Sequence, residues 1–123
     1  MNLEFIFKII DKEEWQKAKQ DLIYNGSDKD KKDGYIHFSE ADQVPETLKK
    51  YYQNIENLIL LKVNAFKLDH ILWEQASNGD MYPHLYSSLD IKNVEDAFAL
   101  PLDDDGMHKL PEILKKYQFS RPR

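Results

Sequence analysis

Asn57-Leu-Ile-Leu-Leu-Lys-Val-Asn64 is the stretch on which the fold turns: its Leu and Ile content is nearly continuous, as in a central strand. After a tight connection over Ala65–Asp69, residues 70–76 (HILWEQA) read as its neighbour. On the N-terminal side, Leu3, Phe5, Phe7 and Ile9 alternate while Ile6 and Ile10 take the other face. That pattern predicts a strand buried on both faces, with Lys8 the polar exception. Asp11 and Glu14 stand at capping-box spacing, and Trp15, Ala18 and Leu22 continue at helical spacing.

The segment between these two strands reads as follows. Tyr24-Asn25-Gly26-Ser27 is a turn signal, and the charge of Asp28–Gly34 (DKDKKDG) predicts an exposed loop. Tyr35–Phe38 is a brief strand, Ser39 a cap, and Ala41, Val44, Leu48 and Tyr51 one apolar helical stripe with Pro45 in its first turn. Towards the C-terminus, Met81–Ser87 is extended, and Pro83 predicts an edge or a bulge because proline donates nothing to a ladder. Val94–Leu100 is a last strand, Asp103–Gly106 an acidic loop, and Leu110–Tyr117 a helix with Ile113, Leu114 and Tyr117 inward. Ser120–Arg123 reads as a frayed tail. The order β-α-β-α-β-β-β-β-α predicts an α+β fold, mostly antiparallel, with helices packed to one side.

One domain is expected of 123 residues, with 41% hydrophobic and 32% charged side chains. A net charge of −5 disfavours general nucleic-acid binding. The absence of cysteine removes disulfides, thiolate metal sites and a cysteine nucleophile. No basic leader or run of roughly 20 apolar residues is present, so neither export nor a membrane helix is expected and a cytoplasmic location fits.

Two histidines carry the candidate chemistry. Strand parity puts Tyr35, His37 and Ser39 on one face and Ile36 and Phe38 on the other. An imidazole there can hold a phosphate, orient a ribose hydroxyl or move a proton, unless it is simply a satisfied strand histidine. His84 lies between Tyr82 and Tyr86, which would wall a planar ligand or merely line a core edge. His37, Glu74 and His84 together would suit a metal-dependent enzyme, although their spacing matches no ligand signature and no metal is predicted. No nucleophile elbow, Walker loop or dinucleotide fingerprint occurs.

The segments Phe5–Trp15, Leu22–Leu48, Leu58–Asn64, Leu72–Gln75 and Met81–Leu89 together resemble the family called domain of unknown function 952. The motifs that carry it are G-S-x-x-D-x-x-D-G-Y-I-H-F-S at Gly26–Ser39, the Trp73-Glu74 pair and Y-P-H-L-Y at Tyr82–Tyr86. The resemblance runs to about Leu102, making residues 1–102 one domain and 103–123 an acidic loop and helix appended to it. It implies a fold similar to the ADP-ribosyltransferase group, in which split, twisted sheets hold nicotinamide adenine dinucleotide (NAD). The RNA 2′-phosphotransferase branch looks similar at Tyr35–Ser39, Ala41–Tyr52 and Leu58–Ala65. By that likeness His37 engages a ribose or phosphate and Lys8 supplies the cationic group, while similarity to the toxin-like transferases of the group implies a late Glu that gathers the ribose 2′-hydroxyl, for which Glu74 is the available residue. Tyr35, Ser39, Tyr82, His84 and Tyr86 would complete a site for a nucleotide-like ligand, with NAD as a substrate. The competing expectation is a small-ligand or protein-binding module without catalysis.

Overall fold

A computed structural model describes residues 3–117; the tail expected at Ser120–Arg123 lies outside them. The first strand, β1 (Phe5–Asp11), runs into α1 (Lys12–Asp21), whose start is capped by the Asp11 side chain accepting from the Glu13 amide at 2.9 Å. The central strand β4 (Leu58–Asn64) lies between β1 and β8 (Val94–Ala99), antiparallel to both. Apolar residues cover both of its faces. Ile6 and Ile10 pack with Leu61, Val63 and the α1 residue Trp15 on one side. Phe7, Ile9, Leu58 and Leu60 pack on the other with Val44 and Leu48 of α3 (Val44–Tyr51) and Leu114 of α4 (Ile113–Tyr117). Helices therefore flank this sheet on both faces, not one, because near-continuous apolar strands must be covered twice.

A second antiparallel sheet has the order β3 (Ile36–His37), β6 (Met81–Leu85), β5 (Ile71–Gln75). Thus β5 pairs with β6 and not, as expected, with β4. Pro83 is equally unexpected, being buried in the middle strand. It is tolerated because its nitrogen falls at the end of the short β3: Phe38 donates to the Pro83 carbonyl at 3.0 Å, and the return bond that proline cannot give is the one at which the pairing stops. The short strands β2 (Ile23–Tyr24) and β7 (Leu89–Asp90) make a third pairing.

The two larger sheets share a core, in which Ile6 and Leu61 pack with Ile36 and Leu85, and a backbone bridge joins them. Phe7 and Ser39 exchange backbone hydrogen bonds of 2.8 Å each way. Ser39 is thereby committed to a strand contact and does not cap a helix. The cap is instead a box of Glu40 and Gln43 around a 3-10 turn at Ala41–Gln43, followed by α3 with Pro45 in its first turn, where no amide hydrogen is needed. Asp28–Asp33, expected as an exposed loop, forms a helix, α2.

Candidate functional site

The α2 helix is built to carry Asp30 inward. Ser27 Oγ accepts from the Asp30 amide at 3.1 Å, and Asp30 Oδ2 accepts from the Ser27 amide at 2.9 Å, a closed capping box. Gly26 permits this approach: its φ is +102°, and a Cβ there would stand 2.8 Å from the Asp30 Cβ. The carboxylate then accepts from Lys8 Nζ at 3.2 and 2.9 Å, from the His37 amide at 3.1 Å and from His37 Nδ1 at 2.5 Å. Lys8 and Asp30 are only 4% and 2% exposed. Burial alone would raise the Asp30 carboxyl, but the His37 hydrogen bond and the Lys8 charge outweigh it and hold it below the ordinary carboxylate range. Burial draws the Lys8 ammonium down against the pull of Asp30.

Lys8 is accordingly not available as the cationic group that meets a ligand. Its charge is spent on Asp30, and Asp30 in turn fixes His37. The other ring nitrogen, His37 Nε2, lies 3.0 Å from Asp33 Oδ2, whose carboxylate also accepts from Lys29 Nζ at 3.1 Å. Only a doubly protonated ring donates at both nitrogens; a neutral ring donates at one.

A second carboxylate and histidine stand directly across the ladder, since β3 pairs His37 with His84 of β6. His84 Nδ1 lies 2.8 Å from Glu74 Oε1, which also accepts from the Tyr86 hydroxyl at 2.6 Å. The Tyr86 bond, then His84, lowers the Glu74 carboxyl, and the same bond pushes the Tyr86 phenol up to about 12. Tyr35 stacks on His84, with centroids 4.0 Å apart at 24°, and leans on His37 at 4.6 Å. The two imidazoles meet edge to face at 5.6 Å.

A cavity of about 480 Å³ opens beside β1, between α2, α3 and the β5–β6 turn. Of the residues singled out in the sequence, Lys8, Tyr35, His37, Ser39, Tyr82 and His84 reach its wall, whereas Glu74 and Tyr86 do not. Residues not singled out also reach it: Asp30, Asp33, Lys29, Lys50, Thr47 and Tyr52. Burial pushes the Tyr52 phenol up to about 12, so it faces the cavity as a neutral hydroxyl. His37, Glu74 and His84 are not gathered as a metal centre: Glu74 lies against His84 and off the cavity wall, and His37 stands between Asp30 and Asp33. Among the described residues no group of three His, Cys, Asp or Glu is placed to hold a metal ion.

Asp30 was missed because an unbroken run of six charged residues reads as solvated. Two signals pointed to it: the capping-box spacing Ser27-x-x-Asp30, and the aspartates at 30 and 33 in the Gly26–Ser39 motif.

A family model described as "Protein of unknown function (DUF952)" matches residues 9–97. The crystal structure of protein CC0527 from Caulobacter crescentus is 38% identical, with a TM-score of 0.85 over 90% of this chain and 98% of that one. The solution structure of the same protein gives 38% identity and a TM-score of 0.76 over 84% and 90%. No curated protein matches. Among the described residues no helix is long and apolar enough to cross a membrane.

Proposed function

The chain belongs to the DUF952 family, and from its site we propose that it binds a small nucleotide-like ligand, such as NAD, ADP-ribose or a phosphorylated nucleoside, in the cavity walled by Tyr35, His37 and His84. The observation that carries this reading is the buried Lys8–Asp30 pair directed at a histidine on the cavity wall. A buried ion pair recovers little more than its desolvation cost, several kcal/mol per ion, so stability alone does not account for it. Its evident product is an oriented imidazole.

The volume suits a ligand of nucleotide size, and the Tyr35 ring and neighbouring phenols provide flat apolar surface. In this reading His37, Lys29 and Lys50 meet phosphate or ribose, Ser39 and Tyr82 add hydroxyls, and Tyr86 acts only through Glu74. Two separate antiparallel sheets joined at the Phe7–Ser39 bridge support an ADP-ribosyltransferase-like split architecture. The engagement of Lys8 by Asp30 favours a degenerate relative over an active ADP-ribosyl transferase.

Thermal unfolding with NAD, ADP-ribose and adenosine phosphates tests this. A ligand at 100 times its Kd adds about 2.7 kcal/mol, an increase of several degrees in Tm. At least one of these is expected to stabilise the wild type and not a folded His37→Ala variant. The reading fails if none does, or if His37→Ala responds equally.

A further inference from the structure

We infer that the same cavity catalyses transesterification of small ribonucleotide phosphodiesters, with His84 as base and His37 as acid; this deepens, and rests on, the nucleotide-binding reading above. The two rings are cross-strand partners 5.6 Å apart. Each has its Nδ1 against a carboxylate, Asp30 at 2.5 Å and Glu74 at 2.8 Å, an arrangement that fixes ring orientation and places the Nδ1 proton.

The remaining nitrogens differ, and that difference assigns the roles. His37 Nε2 lies against Asp33 and is set to donate. His84 Nε2 has no partner among the described residues, yet it is not sealed off: the only buried, unpartnered side-chain nitrogen or oxygen among them is Trp73 Nε1. His84 Nε2 is therefore open to accept a proton from whatever occupies the cavity it lines. The charged and titratable groups facing the pair are Asp30, Asp33 and, through Asp30, Lys8 at His37, with Glu74 and, through it, Tyr86 at His84; Tyr35 lies between the rings. Lys50 on the wall supplies positive charge for the phosphoryl oxygens, while Lys29, also on the wall, is paired with Asp33.

The chemistry needs no protein nucleophile, which agrees with a chain lacking cysteine and any serine elbow. His84 Nε2 takes the proton of the substrate's 2′-hydroxyl, and that oxygen attacks the adjacent phosphorus to form the P–O2′ bond. The P–O5′ bond breaks, its electron pair going to O5′, which takes a proton from His37 Nε2 as the leaving oxygen displaces Asp33. The products are a 2′,3′-cyclic phosphate and a free 5′-hydroxyl. The two histidines have then exchanged protonation states, and proton exchange with water resets them. The cavity volume and the net charge of −5 restrict the substrate to a dinucleotide or similar size.

The test incubates the full chain with a dinucleoside monophosphate, cytidylyl-(3′,5′)-adenosine, and follows cyclic phosphate by chromatography across pH; binding of its 2′-deoxy analogue is read by thermal shift. A bell-shaped rate profile is expected. His84→Gln and His37→Gln should each lower the rate by about 100-fold or more, with His84→Asn as a second variant should His84→Gln melt early. Glu74→Gln, a positioning change, should displace the acid limb of the profile and leave the alkaline limb in place. Binding of the deoxy analogue without cleavage of the ribonucleotide overturns the catalytic inference and leaves the binding reading standing. Neither binding nor cleavage overturns both. Cleavage that persists within threefold in the folded histidine variants also overturns the inference.

Discussion

Asp30 receives five hydrogen-bond contacts on one carboxylate, and every charged neighbour it has depends on them. Asp30→Ala leaves Lys8 buried without a counter-charge, so it should cost about 3–5 kcal/mol in urea denaturation. A loss under about 1 kcal/mol would mean the pair is not closed in solution. The same residue sets an acid limit. Its folded carboxyl titrates below the unfolded value of 3.8, so near pH 4 the unfolded chain binds more protons and stability rises with pH. Its contribution is therefore complete above about pH 4 and is lost as pH falls further towards the folded value. Denaturant midpoints between pH 5 and pH 2 should decline more steeply for the wild type than for Asp30→Asn.

At the scale of elements, α2 shows why charge alone misleads. Six charged residues form one turn and a half of helix because its start is capped by Ser27, its end turns through Gly34 in the left-handed region, and Lys29 pairs with Asp33 at i,i+4 spacing. Ser27→Ala should cost about 1 kcal/mol and loosen the placement of Asp30. Gly26→Ala should cost at least as much, since a side chain there meets both an unfavourable φ and the Asp30 Cβ. Calorimetry of the two variants checks both values; a neutral Gly26→Ala would show that the close approach to Asp30 is not required. The β5–β6 pairing teaches the converse. Two adjacent strand patterns, Leu58–Asn64 and Ile71–Gln75, carry no mark of which sheet each joins, and the chain divides them between two.

Over the whole molecule, the β1–β4–β8 sheet separates two cores, and the cavity wall draws on both, Phe7 and Ile9 from one and Phe38 from the other. Leu114, fully buried in the core of Phe7 and Ile9, is not itself on the cavity wall, so Leu114→Ala should cost about 2–5 kcal/mol in denaturation while the thermal shift from a cavity ligand is unchanged. A lost ligand response would tie the C-terminal helix to the site. Periodicity, caps and turn residues are local, and so the sequence by itself determined the β1–α1 start, Pro45 in a first turn, the central strand and the shared face of Tyr35, His37 and Ser39. Which strands pair, that His37 meets His84, and that one aspartate in a run of charges turns inward onto Lys8 were decided only by tertiary structure. Those contacts join residues 8, 30, 37 and 84, and burying a charge is repaid only by partners that folding brings from elsewhere in the chain.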